Sequence, residues 1–392
     1  MVRDFIVKHL NFRPCRQVLG AAGARVAISL QPGGWRRNRL RRLLGEWFNC
    51  IRLVAGLVCR SPAGLFTLVD STGIGPPYGV GRVRSVSVAE FAEAGPLFEA
   101  AGCEGSLLVV DVSDGHGLAW RPNTVHVAAS VFKLLVALEL TCRAAGGEID
   151  LSRRLHLTPD RFTLGETGLS RSREPVDISL WDLAQSMMTV SDNAATDALI
   201  DVLGLARINQ TAQDLGLRDT VVVEDLARTL RRFASDLDFG SYRELLDAQG
   251  GRLGVVAQEA ATSHRRIARS SVLDPSAATR TSARDMVRLL RMVWAEDGLP
   301  PEGCSNLRDL MAAQPSTRIG GALPTGWRVV GAKTGSLFGV ALHEVGVMRS
   351  SAGRLFAVAV LTRAYEPYQG QPAILRAISD VVALAVSGLA CE

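Results

Sequence analysis

The stretch that decides the fold runs from residue 130 to residue 143 and reads SVFKLLVALELTCR. Its apolar residues recur at helical spacing, so the stretch predicts a helix that begins near Ser130. Residues three apart share one face of a helix, and the amine of Lys133 can therefore approach the hydroxyl of Ser130. At the N-terminus of the helix, this hydroxyl would also lie at the positive end of the helix dipole. The arrangement indicates a serine nucleophile with a lysine beside it.

Two further motifs follow in order along the chain. Ser191-Asp192-Asn193 separates two predicted helices, and Lys333-Thr334-Gly335-Ser336 ends a predicted strand. A second amine near Lys133 would lower the pKa of Lys133, which is how a lysine becomes a base near neutral pH. Each motif alone also fits a helix cap or a turn, so the prediction rests on their combination and order.

Lysine is rare in this chain. Lys8, Lys133 and Lys333 are the only lysines among its 44 basic residues. Arginine, with a pKa above ~12, does not accept a proton, whereas a lysine loses its proton when it is buried or lies beside other cations. The two lysines in the body of the chain are therefore candidates for chemistry.

Over roughly residues 85–390, the three motifs resemble the active-site serine penicillin-recognising superfamily, and in particular the class A β-lactamases. The separation of Ser130 and Ser191 along the chain is also similar to that family. The resemblance implies that Ser130 is the nucleophile that becomes acylated and that Lys133 accepts its proton. It implies that Ser191 relays the proton to the leaving nitrogen.

The same resemblance implies a set of substrate-binding groups. Asn193 would bind the side-chain amide of the substrate, and Lys333 would tune Ser191 and, with Thr334, hold the substrate carboxylate. The backbone N–H groups of Ser130 and Ser336 would form the oxyanion hole, in which one donor typically contributes ~2.7–4 kcal/mol to lowering the barrier.

Two positions depart from the class A pattern. The family carries a Glu-x-x-Leu-Asn box whose glutamate activates the water that hydrolyses the acyl-enzyme. The nearest sequence here is Glu224-Asp225-Leu226, with Arg228 where the asparagine would fall. Glu224 is either the deacylating base or a solvated acid at the start of a helix. His343 stands where many class A enzymes have a carboxylate-binding arginine, and it either binds substrate or lies on a face of the sheet.

The order of predicted elements indicates an α+β fold. A helix is predicted over residues 88–101, and strands over 106–112 and through Trp120, joined by the hairpin dipeptide Asp114-Gly115. Further helices are predicted over residues 130–143, 180–188, 193–203, 208–215, 226–233, 282–294 and 373–389, and strands over 327–333, 340–348 and 355–362. We expect a five-stranded antiparallel sheet formed by both chain ends with a helical insert, similar to the β-lactamase/transpeptidase fold, within residues 85–390.

Residues 1–80 differ from the rest of the chain in charge. They hold twelve basic and three acidic residues, whereas the other 312 hold 32 basic and 36 acidic residues. The basic excess therefore belongs to the extension and not to the rest of the chain, so nucleic-acid binding by the whole protein is not supported. The extension is predicted to be a disordered leader, with an export or membrane-surface segment as the alternative. Without a clean signal peptide the compartment, cytoplasmic or exported, stays open. The sequence lacks a run of ~18 apolar residues, so we expect no membrane span.

The function that these patterns favour is a serine acyl hydrolase acting on a β-lactam, or a related amide or ester, through an acyl-serine intermediate. The alternative is a D-Ala-D-Ala peptidase or penicillin-binding protein, or an esterase, with slow β-lactam turnover. A non-catalytic binding module is disfavoured, because binding alone needs neither a nucleophile nor two amines. The histidines show no metal-ligand spacing, so we expect no metal and no cofactor. We expect a monomer whose partner is a small β-lactam or peptide-like substrate.

Overall fold

The computed structural model describes residues 59–61, 64–66, 86–248 and 260–389. The chain divides into two units, residues 1–75 and 76–392. Of the first unit, the described part is an antiparallel pair of strands, β1 (Cys59–Ser61) and β2 (Gly64–Phe66). The predicted disorder of residues 1–80 otherwise lies outside the described residues and stays a prediction.

The described part of the second unit is built on a sheet of six strands with two shorter strand pairs beside it. The strands are β3 (Ser87–Glu90), β4 (Cys103–Asp111), β5 (His116–Trp120), β6 (Val125–Val127), β7 (Arg154–Leu157), β8 (Val176–Ser179), β9 (Arg280–Ser282), β10 (Arg328–Leu337), β11 (Ala341–Arg349) and β12 (Leu355–Ala364). The six-stranded sheet has the order β10-β11-β12-β4-β5-β3, and β6–β9 and β7–β8 form the two pairs. Both ends of the unit therefore contribute to one sheet, as predicted.

The helices lie mainly between β5 and β10 in the chain. They are α1 (Ala94–Ala100), α2 (Lys133–Ala145), α3 (Leu180–Thr189), α4 (Asn193–Leu203), α5 (Leu205–Asp214), α6 (Leu226–Asp236), α7 (Tyr242–Ala248), α8 (Ala260–Ala268), α9 (Ala283–Ala295), α10 (Pro301–Ala312) and α11 (Gln371–Leu389). The α+β class and the helical insert are confirmed.

The prediction of a five-stranded antiparallel sheet is wrong at one edge. β3 is a sixth strand and runs parallel to β5, so the sheet is mixed. The N–H of Ser87 donates to Gly115 O at 3.0 Å, and the N–H of Phe91 donates to Ala119 O at 2.8 Å. All four residues of β3 are exposed, so no alternation of buried and exposed residues marks the strand in the sequence. Because residues 87–90 form β3, the helix predicted over residues 88–101 begins only at Ala94, as α1.

The sheet separates two apolar layers because alternate residues of a strand point to opposite faces. On β4, Leu107 and Val109 pack in one cluster with α1 and α11, and Leu108 and Val110 pack in the other with α2 and α9. Helix α2 lies at the centre of the second layer, and its residues 133–142 are all buried. This burial fixes the helix that begins directly after Ser130.

Helix α11 is the one helix in the described residues whose length and apolar composition would suit a membrane span. Half of its apolar window is buried inside the fold, where Ile374, Ile378 and Val382 pack in the cluster with α1. This contact accounts for its apolar character as packing against the sheet.

Candidate active site

Ser130 lies in a 3-10 turn, Ala129–Phe132, directly before α2. Side chains three residues apart eclipse each other in a 3-10 turn, so Ser130 and Lys133 lie on one face, as their spacing predicts. Ala129 has a φ of 44°, a left-handed conformation that a residue with a side chain seldom adopts. Val131 and Phe132 are buried, whereas Ser130 is only partly buried. The turn is therefore anchored in the core and leaves the hydroxyl accessible.

The side chain of Lys133 is fully buried. Its Nζ donates to Ser191 O at 2.7 Å and to Asn193 Oδ1 at 3.1 Å, and lies 3.2 Å from Ser191 Oγ. Burial and the nearby charge of Lys333 lower the pKa of Lys133 well below its usual value. Lys133 thus joins the first motif to the second.

The contacts of Lys133 fit both charge states: an ammonium donates to all three oxygens, whereas a neutral amine has two N–H donors and one lone pair. Two acceptors, Ser191 O and Asn193 Oδ1, are available for the two N–H groups. The lone pair then remains for a hydroxyl proton. Within the described residues, no hydrogen bond joins Lys133 Nζ to Ser130 Oγ, so the hydroxyl in the nearest contact is that of Ser191.

The second motif is held in place by Asp192. Its fully buried carboxylate caps α4 by accepting the N–H groups of Ala194 and Ala195. It also accepts the N–H of Leu169 at 2.7 Å and the hydroxyl of Ser186 at 2.8 Å. One carboxylate thereby fixes the start of α4, the end of α3 and the loop before β8.

The residues on either side of Asp192 face Lys133. Ser191 has a φ of 59°, a left-handed conformation held by its surroundings. The Nδ2 of Asn193 donates to Leu164 O at 3.0 Å, which leaves its Oδ1 as the acceptor for Lys133. The two side chains are therefore fixed toward the amine before any substrate binds.

The third motif lies on β10. Lys333 is fully buried, and its Nζ donates to Thr334 O at 3.1 Å. Burial and the guanidinium of Arg318 lower its pKa to about 7, while Glu344 acts in the opposite direction. Thr334 is partly buried and Ser336 is exposed, on the same strand. The charge of Lys333 acts on Lys133, so the third motif lies near the first.

Gly335 sets how closely β10 approaches the turn that carries Ser130. A Cβ placed on Gly335 would lie 3.2 Å from Ser130 N, 3.1 Å from Val131 Cγ1 and 3.3 Å from Ala129 Cβ. The backbone of β10 and the backbone of Ser130 are therefore neighbours, as an oxyanion hole formed from the N–H groups of Ser130 and Ser336 requires.

Arg318 is a residue of the site that the sequence did not reveal. Its Nη1 donates to Gly335 O and His343 O, both at 2.8 Å, and its Nη2 donates to Ser336 Oγ at 2.7 Å. The guanidinium therefore lies at the end of β10 beside the third motif. In a chain in which 41 of 44 basic residues are arginine, no sequence signal separates this arginine from the others.

Glu344 is a second residue that the sequence did not reveal. Its carboxylate is fully buried and accepts the backbone N–H groups of Arg318 and Ile319 at 2.5 Å and the Nε2 of Gln314 at 3.3 Å. Gln314 in turn accepts the N–H of Thr334 with its Oε1 at 3.0 Å. Burial raises the pKa of Glu344 to about 7. Glu344 thus holds the segment that carries Arg318 against β10.

His343 is buried in the sheet. Its Nε2 lies 2.8 Å from Val127 O, and its Nδ1 accepts the N–H of Thr362 at 3.0 Å. These two bonds define a neutral ring that donates from Nε2, and burial lowers the pKa of His343 to about 4. Of the two alternatives for this residue, the contacts fit the packed position on a sheet face.

Glu224 is engaged by two side chains at the start of α6. It accepts the hydroxyl of Thr229 at 3.1 Å and pairs with Arg232 Nη2 at 3.0 Å. The cap of α6 is the neighbouring Asp225, which accepts the N–H of Arg228. Glu224 is therefore an ion-paired acid and not the freely solvated one of the alternative.

The start of α6 is also tied to α4. The carboxylate of Asp197 accepts the N–H groups of Leu226 at 2.8 Å and Ala227 at 2.9 Å. It also accepts the hydroxyl of Thr163 at 2.6 Å.

In the described part of the chain, no group of three or more His, Cys, Asp or Glu side chains is placed to hold a metal ion.

Comparison with known proteins identifies the family to which this arrangement of motifs belongs. The family model described as "Beta-lactamase enzyme family" matches residues 91–386. A curated relative, "Beta-lactamase regulatory protein BlaB" of Streptomyces cacaoi, is 34% identical over 284 residues, which are 69% of this chain and 88% of the relative. The chain belongs to the β-lactamase enzyme family, and its predicted class is confirmed.

Solved structures show the same fold. A β-lactamase from Sphaerobacter thermophilus has a TM-score of 0.59 at 23% identity, covering 77% of this chain and 97% of that one. The structure of PBP-A has a TM-score of 0.58 at 19% identity and covers 76% and 98%. A putative class A β-lactamase from Rhodopseudomonas palustris has a TM-score of 0.57 at 21% identity with the same coverage.

Proposed function

We propose that Ser130 attacks the carbonyl of a β-lactam, or of a related amide or ester, and becomes acylated. The acyl group is then released slowly by hydrolysis. The observation that carries the proposal is the full burial of Lys133 beside Ser191, with a pKa well below its usual value and its Nζ 3.2 Å from Ser191 Oγ. A neutral lysine one 3-10 turn from a serine is a proton acceptor and not a charge. A protein of this kind is a serine acyl hydrolase, as the sequence favours. Its slow release of the acyl group is the property expected of the penicillin-binding alternative.

The proposed acylation step uses the side chains of all three motifs. Ser130 Oγ attacks the carbonyl carbon, and the hydroxyl proton passes to Lys133. The N–H groups of Ser130 and Ser336 receive the oxyanion, and Arg318 and Lys333 supply positive charge for a substrate carboxylate. When the C–N bond breaks, the proton moves from Lys133 through Ser191 Oγ to the leaving nitrogen. The 3.2 Å contact between Lys133 Nζ and Ser191 Oγ supports this route.

Slow release is proposed because hydrolysis needs a base that orients a water on the acyl carbonyl, which is worth about 10²–10⁴-fold in rate. Glu224 is the acid in the sequence that most resembles the Glu-x-x-Leu-Asn box. It accepts the hydroxyl of Thr229 and pairs with Arg232. Both contacts hold this carboxylate at the start of α6.

A second candidate function is β-lactam sensing. The curated relative that is 34% identical to this chain is named as a β-lactamase regulatory protein. A long-lived acyl-enzyme suits a sensor, because a covalent signal persists after the free ligand is gone. Both candidates share acylation at Ser130 and differ in the rate of release.

The test is intact-mass spectrometry of the full chain after mixing with benzylpenicillin, followed over time. Wild-type protein should gain one acyl group quickly and lose it slowly. Ser130→Ala should gain none, while Ser387→Ala, a control at an exposed serine of α11, should behave as wild type. Labelling that persists in Ser130→Ala would refute the assignment of the nucleophile.

The rate of release is tested separately with Glu224→Gln. We expect the substitution to change the slow phase little, since Glu224 is held by Arg232. If wild-type protein turns over without a burst and Glu224→Gln traps the acyl-enzyme, Glu224 is the deacylating base and the protein is an efficient β-lactamase.

A further inference from the structure

An apolar cluster adjoins the candidate active site at three points. It is built on the helices α6, α7 and α8 and on the turn that joins β10 to β11. Ala129, the residue before the nucleophile, is a buried member, and Leu337, the residue after Ser336, packs against it. Leu164 packs against it as well, and its carbonyl accepts the Nδ2 of Asn193 at 3.0 Å. The cluster therefore borders the nucleophile, the end of β10 and the amide that is expected to bind substrate.

Aromatic rings make up the part of this cluster at the end of β10. Phe338 stacks on Phe233 of α6 with ring centroids 3.5 Å apart, and the ring of Tyr242, from α7, lies 6.4 Å from both. The N–H of Tyr368 donates to Gly339 O at 3.0 Å, directly after Phe338 in the chain. The two phenylalanines are buried, whereas the two tyrosines are only partly buried. The tyrosines are therefore the aromatic groups that a ligand at this end of the site can contact.

The loop that holds Asn193 also carries an acid, Glu166, toward these tyrosines. A Cβ placed on the preceding residue, Gly165, would lie 3.2 Å from Asn193 Nδ2, so the loop lies directly beside the second motif. Burial and the charge of Glu166 raise the pKa of Tyr242, and burial, Tyr242 and Glu166 together raise the pKa of Tyr368. The carboxylate is therefore a neighbour of both tyrosines.

The carboxylate of Glu166 is not used by the fold. Glu166 is exposed, and among the described residues no hydrogen bond or ion pair involves its side chain. Other acids described above are occupied: Glu224 pairs with Arg232, and the buried Glu344 accepts two backbone N–H groups. Glu166 is therefore a negative charge that remains for a ligand.

The cations of the site lie on a different element. Lys333 belongs to β10, and Arg318 donates to Gly335 O and Ser336 Oγ on the same strand. Glu166 belongs instead to the loop beside Asn193. Positive charge thus lies along β10 and negative charge beside the amide group of the second motif. A ligand with one carboxylate and one ammonium group would match this distribution.

We infer that Glu166, with the rings of Tyr242 and Tyr368, recognises an ammonium group on the side chain of the acyl donor. The inference rests on the proposed acylation of Ser130. Carboxylate and ammonium form charge-assisted hydrogen bonds, and the face of a tyrosine attracts a cation within about 6 Å of the ring centroid. The substrate class is then a zwitterionic β-lactam, amide or ester, and Glu166 is a specificity-determining residue.

The experiment compares three penicillins that share one scaffold. Ampicillin, benzylpenicillin and carbenicillin carry an ammonium, a hydrogen and a carboxylate at the same carbon of the side chain. The measurement is kcat/KM for acylation of the full chain, by quenched intact-mass spectrometry near pH ~6.5, below the ~7.7–8.0 of an ordinary α-amino group. We expect ampicillin to react fastest and carbenicillin slowest, with at least about fivefold between them. The difference should shrink as ionic strength rises.

Glu166 is tested by neutralising and by reversing its charge. In Glu166→Gln the three rates should lie within about twofold of one another, and in Glu166→Lys carbenicillin should react faster than ampicillin. Both changes are at an exposed loop residue, and a thermal melt establishes that the fold is intact. Glu99→Gln is the matched control, at an exposed acid of α1 on the opposite face of the sheet from α2, and should keep the wild-type order.

Equal rates for the three penicillins in wild-type protein would overturn this inference and leave acylation of Ser130 in place. The same holds if the wild-type order survives in folded Glu166→Gln and Glu166→Lys. A wild-type chain that gains no mass with any of the three penicillins would instead overturn the proposed function, and this inference with it.

Discussion

Lys133 is the residue on which the proposed acylation depends, and its surroundings explain why lysine would be needed at this position. Burial and the charge of Lys333 both favour the neutral amine. The three oxygens around Nζ would hold it in one orientation. An arginine at this position would keep its proton, since its pKa exceeds ~12.

Lys133→Arg should therefore be nearly as damaging as Lys133→Ala. We expect both to lower the acylation rate by about 10²-fold or more, the usual contribution of a general base. The measurement is the rate of acyl gain by stopped-flow or quenched mass spectrometry. Most of the wild-type rate surviving in the arginine variant would show that Lys133 only places a charge.

Glu344 offers a second prediction at the level of a single residue, through the pKa of Lys333. That pKa is about 7, lowered by burial and by Arg318 and raised by Glu344. If the ammonium of Lys333 holds the substrate carboxylate, acylation should fall as pH rises through 7. Glu344→Gln removes the charge that favours the ammonium, so the pKa of Lys333 should fall.

We expect Glu344→Gln to move the alkaline limb of the kcat/KM profile for acylation to lower pH. The carboxylate of Glu344 itself has a pKa of about 7, so the difference between the variants should be largest above that pH. Glu302→Gln, at an exposed acid in the first turn of α10, is the matched control and should leave the profile unmoved. An unshifted alkaline limb in Glu344→Gln would remove Glu344 from this role.

At the scale of elements, the site depends on how β10 lies against the turn that carries Ser130. Gly335 makes this approach possible, since a Cβ there would lie 3.1–3.3 Å from Val131 Cγ1, Ser130 N and Ala129 Cβ. All three neighbours belong to the turn before α2, which is anchored by the buried Val131 and Phe132. The turn cannot easily yield, so the strand must move.

Gly335→Ala should therefore fold but acylate slowly. A displacement of β10 by part of an ångström shifts Ser336 N–H and Lys333 relative to Ser130, and misplacement of about 1 Å costs about 10²-fold in rate. Gly146→Ala, at the C-terminal cap of α2, has ordinary contacts at 3.6 Å and serves as the control. The readouts are thermal unfolding and the acylation rate, and a normal rate in Gly335→Ala would show that the contact is not critical.

The elements that could be predicted from the sequence are those whose pattern is local. The strong apolar period of α2 and α9 fixed both helices, and Ser282 caps α9 by accepting the N–H of Asp285, as its position predicts. The motifs also make Ser130, Lys133, Ser191 and Lys333 candidates for the site, because each is a recognisable residue type within a short local pattern.

The parts that could not be predicted depend on contacts distant in sequence. β3 has no buried face, and it exists through main-chain bonds to β5. Arg318 reaches the site because Glu344, 26 residues away along the chain, holds its backbone N–H. No local pattern announces such a pair, so both residues were missed.

At the scale of the whole molecule, the basic excess and the three motifs lie in different parts of the chain. Residues 1–80 carry the basic excess, whereas the three motifs lie between residues 130 and 336. The family match covers residues 91–386, and β3 begins at Ser87. The extension is therefore expected to be dispensable for the fold and the chemistry of the domain that follows.

A chain shortened to residues 81–392 should unfold cooperatively and acylate at the wild-type rate, as measured by thermal melting and by mass spectrometry with benzylpenicillin. A second truncation, to residues 92–392, serves as the contrast, because it removes β3 and Phe91, which packs in the core with α1 and α11. Losing a buried phenylalanine side chain typically costs about 3–5 kcal/mol, so this chain should melt at a markedly lower temperature. If the 81–392 chain already loses cooperative unfolding, the basic extension contributes to the core and the domain boundary lies nearer the N-terminus.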